Sequence, residues 1–315
     1  MEKSGVVCIG LTVADLLVRP VDLSKANREL IIVEEISNAV GGDAYNEAYT
    51  LARLGIPVKL MASVGSDFWG DFILKKGNEA GINMEHVTRD KKYPTTVSIV
   101  LIRSDGERSF IGSRGTSLHF MMESLDQESL EKAKVVSLAS IYSNREMDQA
   151  FLAAAKAARK AGAIVTADTM TSMEGSTLES QSELLPLLDY IFPNYEEACI
   201  ITGEKDPEKI AGAFLKSGVK NVVIKTGKEG CYIQNANEKL KVPTYKKAQR
   251  LDTTGAGDNF AAGFIYGLCR DLSLGECAAY ANAAASVSIQ YLGAGGLKNL
   301  REVEEMMAGG ILEIV

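Results

Sequence analysis

The chain has 315 residues, 46% of them hydrophobic and 24% charged, which is enough apolar content to bury a full core and too much for a disordered chain. Forty-one acidic residues against 34 basic ones give a net charge of −7. No Lys/Arg block interrupted by aromatics appears, so nucleic acid is excluded as the expected partner and a small molecule takes its place. The two histidines, His86 and His119, leave a His/Cys zinc site or a Ser-His-Asp triad almost without material. Five cysteines (Cys8, Cys199, Cys231, Cys269 and Cys277) form no C-x-x-C pair and read as reduced, buried thiols.

The opening stretch MEKSGVVCIGLTVADLLV holds a short apolar run broken by Thr12 and Asp15, neither a signal peptide nor long enough to span a bilayer. A cytoplasmic protein with no membrane partner is therefore expected. VVCIG (6–10) begins a series of apolar, β-rich runs continued by VKLMASVG (58–65), VVSLAS (135–140), AIVTAD (163–168), YIFPN (190–194) and NVVIKTG (221–227). Between them AYNEAYTLARLG (44–55), REMDQAFLAAAKAARKAG (145–162) and DPEKIAGAFLKSG (206–218) have helical period and each ends in Gly, a helix stop. Apolar strands alternating with helices predict a mostly parallel sheet covered on both faces, a three-layer α/β/α sandwich.

One region departs from this rhythm. TTVSIVLIRSDGERSFIGSRG (95–115) reads as strand, Asp105-Gly106 turn and strand, an antiparallel hairpin, and ELIIVEEIS (29–37) reads as a further strand. The two predict a small β-sheet lid, built from segments of about 12–37 and 93–117, inserted in a single domain spanning 1–315. Its open strand edges suit a like subunit, so a homodimer through the lid is expected. No internal repeat or low-complexity tract is present.

The segment LDTTGAGDNFAAGF (251–264) carries the chemistry. A turn running into a helix would aim the N–H groups of Gly255, Ala256 and Gly257 at the helix mouth with no side chains in the way, an anion hole with Asp258 in the first turn beside it. A plain Gly-rich connection with Asp258 as an ordinary N-terminal helix acid explains the same residues. Two rival motifs fail: a dinucleotide fingerprint needs a third Gly where Phe260 stands, and a Walker loop needs a Gly-Lys-Ser/Thr run that occurs nowhere.

DTTGAGD followed by an apolar helix resembles the C-terminal signature of the ribokinase-like, or PfkB, family of carbohydrate and nucleoside kinases. VGGDAYNEAYTLARLG (40–55) resembles the family's N-terminal signature, PNYEEA (193–198) its N-x-x-E motif, KTGKEG (225–230) its nucleotide-binding turn, and NAAASVSIQYLGA (282–294) its adenine-side helix. The resemblance implies ATP-dependent phosphorylation of a primary sugar hydroxyl, with Asp258 as general base and the 255–257 backbone as anion hole. An Asp near its usual pKa of about 3.9 suffices there, because a loose phosphoryl transition state frees the proton late. Asp15, Gly41, Gly42 and Asn46 would read the sugar. Asn194, Lys225, Thr226, Gly227, Gly230, Asn282 and Ala285 would hold ATP, and Glu197 would hold Mg²⁺ through water. Asp252 and Thr254 would border a monovalent cation, K⁺.

Local alternatives stand beside these roles. Asn194 with Glu197 is also a helix cap, Lys225 a surface lysine, Asp15 a turn acid just past strand one, and the helix of Asn282 and Ala285 simply close packing. The chain also departs from the ribokinase pattern: Ala139 stands where a sugar-binding Glu is expected, which weakens D-ribose as the substrate, and Gly295-Gly296 replaces a Pro-containing loop. Arg103, Arg108 and Arg114 of the hairpin would take a second acidic group on the sugar if one turned inward. A nucleoside kinase, with Phe110, Phe120 or Tyr142 against the base, and a non-catalytic sugar-binding regulator are the alternative functions.

Overall fold

The computed structural model describes residues 3–25, 30–104, 107–120, 122–170, 175–245 and 248–311. β1 (Val6–Ile9) leads directly into β2 (Val13–Arg19) and, later, β3 (Glu35–Gly41). Helix α1 (Asp43–Arg53), β4 (Val58–Gly65), α2 (Phe68–Ala80) and β5 (Val87–Asp90) follow, and then the hairpin strands β6 (Val97–Ile102) and β7 (Arg108–Ser113). The alternation resumes with α3 (Gln127–Lys132), β8 (Val135–Ile141), α4 (Arg145–Ala161), β9 (Ile164–Thr169), β10 (Tyr190–Phe192), α5 (Tyr195–Thr202), α6 (Pro207–Lys216) and β11 (Asn221–Lys225). Two short strands, β12 (Cys231–Gln234) and β13 (Lys239–Val242), precede the helices α7 (Ala256–Cys269), α8 (Leu274–Ser288) and α9 (Leu300–Ala308).

The large sheet has the order β13-β12-β11-β10-β9-β8-β1-β4-β5, parallel from β11 to β5 and antiparallel at the β11-β12-β13 edge. Each strand inside the two edges divides its residues between two cores. Val6 and Cys8 pack with α1, α7 and α8, whereas Val7 and Ile9 pack with α4 and α6. This two-sided burial is why the strands read as continuous apolar runs, and it yields the expected α/β/α sandwich. Among the described residues no helix is long and apolar enough to cross a membrane, and all five cysteines are unpaired.

The second sheet has the order β3-β2-β6-β7, with β6 and β7 antiparallel as expected. The Asp105-Gly106 turn between them lies outside the described residues. Two expectations need correction. The strand anticipated at 29–37 occupies Glu35–Gly41 instead, residue 29 being outside the described residues; Leu30 and Ile32 are 72% and 85% exposed and pair with nothing in the sheet. Pairing, not apolarity, sets the strand: Ser37, Asn38 and Ala39 lie opposite Leu17, Leu16 and Asp15. Asp15 is accordingly no turn residue past β1 but sits inside β2, between Ala39 on one side and Ser98 on the other.

Candidate active site

Helix α1 starts at Gly42, whose φ of +92° turns the chain sharply out of β3. Its polar residues fall into two rows at helical i,i+4 spacing. Asn46 and Thr50 face α7: Asn46 Nδ2 donates to Asp258 Oδ2 (2.6 Å) and Thr50 Oγ1 to Asn259 Oδ1 (2.7 Å). Asp43 and Glu47 face β8, accepting from Ser140 Oγ (2.6 Å) and Ser137 Oγ (2.5 Å). One helix thus fixes the mouth of α7 against the carboxyl end of the sheet.

Gly255 caps α7 with φ +71°, a left-handed turn that favours glycine. The Ala256 N–H donates to Thr253 O (3.2 Å), while no backbone carbonyl among the described residues accepts from Gly255 or Gly257. Of the three N–H groups expected to form the anion hole, those two stand open. Lys225, at the end of β11, lies against Gly257; a Cβ there would be 3.0 Å from its Nζ. It is no surface lysine. Its side chain is 12% exposed, and Nζ donates to both oxygens of Asp168 at the end of β9, each at 2.7 Å.

Asn194 and Glu197 make the capping box: Asn194 Oδ1 accepts from the Glu197 N–H (2.8 Å) and Glu197 Oε2 from the Asn194 N–H (3.1 Å). Thr169 Oγ1 also donates to Glu197 Oε2 (2.6 Å), leaving Oε1 without a hydrogen bond among the described residues. The cap therefore uses one carboxylate oxygen and leaves the other to a further partner.

Charge is crowded here. Burial, with the nearby carboxylates of Asp43 and Asp168, pushes Asp258 well above the usual carboxylate range, against the opposing pull of Asn46 and Lys225. The expectation of an ordinary pKa for Asp258 is thereby corrected, because it reckoned with neither burial nor these neighbours. Burial raises Asp168 to about 7 despite Lys225, and it raises Glu47 strongly, with Asp168 adding to the effect. Burial pulls the Lys225 ammonium down, but Asp168 and Glu197 outweigh it and its pKa ends above its usual value.

The Asp15 carboxylate lies over Gly41, where any side chain would collide with it. Asp15 makes no side-chain hydrogen bond among the described residues, and burial raises it to about 7. Ala139 is fully buried. Next to it Ser140 takes φ +77° and directs its hydroxyl to Asp43. Tyr142 and Phe120 are buried, whereas Phe110 on β7 is 62% exposed.

The 225–230 turn closes with the Thr226 N–H on Gly230 O (2.9 Å), leaving Gly227 exposed. Asn282 uses its amide on Val242 O (2.9 Å) and Pro243 O (3.2 Å), fastening the end of β13 to α8, with half-buried Ala285 one turn on. Of the hairpin arginines, Arg108 turns inward and pairs with Asp252, Arg103 lies 3.8 Å from Glu107, and Arg114 is exposed.

Asp43, Glu47, Asp168 and Thr169 escaped the sequence reading. Asp168 carried a usable signal, since it ends an apolar strand at the sheet's carboxyl edge as a ligand residue would. Asp43 directly follows the Gly41-Gly42 pair.

An open helix mouth, a carboxylate in its first turn and a buried lysine beside it, at the carboxyl edge of a parallel sheet, can receive an anionic group in transfer. The model of the pfkB family carbohydrate kinases matches residues 3–299, and the chain belongs to that family. It is a phosphotransferase acting on sugars. The ribokinase of Arabidopsis thaliana is 31% identical over 297 residues, covering 91% of this chain and 76% of that protein. The 2-dehydro-3-deoxygluconokinase of Bacillus subtilis is 28% identical over 268 residues, covering 82% and 83%. The solved structure of Arabidopsis thaliana ribokinase complexed with ribose and ATP superimposes with a TM-score of 0.83 at 27% identity, covering 98% of this chain and 99% of that one.

Proposed function

We propose that this protein transfers the γ-phosphoryl group of ATP to a primary hydroxyl of a small, uncharged sugar. Asp258 takes the hydroxyl proton, a role that its raised pKa supports by making it a stronger base than an ordinary carboxylate. The open N–H groups of Gly255 and Gly257, with Lys225 beside them, receive the charge on the moving phosphoryl group. Asp15 and Asn46 read the sugar hydroxyls over Gly41 and Gly42. Asn194, Thr226, Gly227, Gly230, Asn282 and Ala285 border the nucleotide. Glu197 Oε1 suits Mg²⁺ through water, since this ion keeps most of its hydration shell and takes few carboxylates; bound there, Mg²⁺ would neutralise phosphate charge.

The observation that carries the reading is the 2.6 Å bond from Asn46 to Asp258, which joins the sugar-reading helix to the phosphate-binding turn. A neutral sugar is favoured because Arg108 already pairs with Asp252 and Arg103 lies near Glu107. Buried Tyr142 and Phe120 and outlying Phe110 favour a sugar over a nucleoside. We further read the chain as one domain with the lid inserted, cytoplasmic in keeping with its unpaired cysteines. It would be a homodimer through the lid, whose Ile36, Phe110 and Ile111 are 63%, 62% and 58% exposed. A screen of neutral sugars, acidic sugars, sugar phosphates and nucleosides for ADP release with Mg-ATP tests the proposal. Turnover confined to phosphorylated or carboxylated sugars, or to nucleosides, refutes it.

A further inference from the structure

Asp252, where the family resemblance places a monovalent cation, is 3% exposed, and both its carboxylate oxygens have partners. Its Oδ1 accepts from the Thr254 N–H (2.6 Å) and its Oδ2 from the Gly293 N–H (2.8 Å). The Arg108 guanidinium of β7 pairs with Oδ1 through Nη2. The Leu251 and Asp252 N–H groups both donate to Ile289 O, at 2.8 and 3.0 Å. Asp252 therefore ties together the end of α8, the loop at Gly293 and the turn that opens into the anion hole.

A carboxylate so deeply buried needs a positive charge close by, and Arg108, itself 15% exposed, brings one that cannot be lost by deprotonation. The pair lies in a cleft of about 610 Å³ between the lid and the 251–252 and 292 backbone. The other arginines lining it have carboxylates of their own: Arg19 donates to Glu35 (2.9 Å through Nε), and Arg103 lies 3.8 Å from Glu107. Spherical K⁺ wants a cage of oxygens. Here a guanidinium already stands against Oδ1 of the acidic ligand, where a second cation would meet like charge, so the residues present do not fit the ion.

We propose that Arg108 is this kinase's built-in cation: its guanidinium holds the 252–257 turn in shape through Asp252 and makes the enzyme independent of K⁺. Arg108 touches no reacting atom and is a positioning residue. Since it rides on the lid sheet while Asp252 sits at the mouth of α7, the charge reaches Asp252 only with the lid in place. Lid docking and the shaping of the anion hole are one event. The inference rests on the phosphotransfer reading of that turn, so its test includes a measurement that needs no turnover.

The wild type, Arg108→Ala and Arg108→Lys are compared in KCl and in tetramethylammonium chloride at equal ionic strength, with and without millimolar guanidinium. Tm, kcat and the sugar KM are measured for each. The wild type should show the same Tm and kcat in both salts. Arg108→Ala should lose on the order of 10²-fold in kcat, as expected for a displaced catalytic turn, with the sugar KM changing less. K⁺ or guanidinium should restore part of the rate and raise its Tm, and Arg108→Lys should fall between. A saturable rise of wild-type Tm or kcat with K⁺ overturns the proposal. So does an Arg108→Ala protein with wild-type rate and Tm, or one whose losses neither ion repairs. If that variant does not fold, the wild-type salt comparison decides alone; if no sugar is turned over, the Tm comparison decides.

Discussion

Replacing Asp258 with Asn separates chemistry from architecture at the centre of the site. The amide can still accept from Asn46 Nδ2, the bond now 2.6 Å long, so at most about 1 kcal/mol of neutral hydrogen bonding is at stake. What disappears is the carboxylate proposed to take the hydroxyl proton. General-base contributions of roughly 10²–10⁴-fold correspond to about 3–5 kcal/mol of transition-state stabilisation at 1.36 kcal/mol per decade. The single-turnover rate should drop by that factor while the Kd values of sugar and ATP change far less. Stability should move the other way. Burial, Asp43 and Asp168 raise the folded-state pKa of Asp258 above its unfolded value. The stability this group contributes is thus complete below about pH 4 and lost as pH rises toward the folded value. Asn stays neutral throughout, so the Tm of the variant minus that of the wild type should grow from pH 4 upward. A near-normal single-turnover rate would refute Asp258 as the base, and a variant that melts lower at pH 8 than the wild type would refute the electrostatic argument.

Asp15, raised to about 7 by burial, can offer both oxygens as acceptors to the proposed sugar hydroxyls only when ionised. Sugar affinity should therefore weaken about tenfold per pH unit below about 7 and level off above it, and calorimetric Kd values that stay flat from pH 5 to 8 would contradict this. Gly257→Ala places a Cβ 3.0 Å from Lys225 Nζ, which the Asp168 pair holds in place. We expect kcat to fall on the order of tenfold or more with little change in Tm, and an unaffected kcat would mean that Lys225 is not part of the transfer site. Glu197→Gln keeps the helix cap, because Gln serves at this position, but should weaken the proposed hold on hydrated Mg²⁺. The Mg²⁺ concentration for half-maximal rate should rise about tenfold or more, and an unchanged Mg²⁺ titration would remove Glu197 from the metal's surroundings.

The sequence by itself determined whatever depends on neighbours along the chain. The alternation of two-sided apolar strands with Gly-terminated helices specified the sandwich, because burial on both faces leaves its mark on every residue of a strand. The Gly255-x-Gly257-Asp258 spacing specified an open helix mouth with an acid in its first turn, because helix geometry is local. Tertiary structure decided the rest. Asn46 meets Asp258 across 212 residues and Lys225 meets Asp168 across 57, and no spacing rule relates such distant partners. The LIIV run at 30–33 has strand propensity, yet the strand forms at Glu35–Gly41, because pairing with β2 rather than apolarity fixes the register. A pKa is likewise no property of a residue type. Asp258 becomes a stronger base only when folding buries it beside Asp43 and Asp168, and Arg108 changes from a surface charge into the counter-ion of Asp252 only when the lid sheet sets β7 against the mouth of α7.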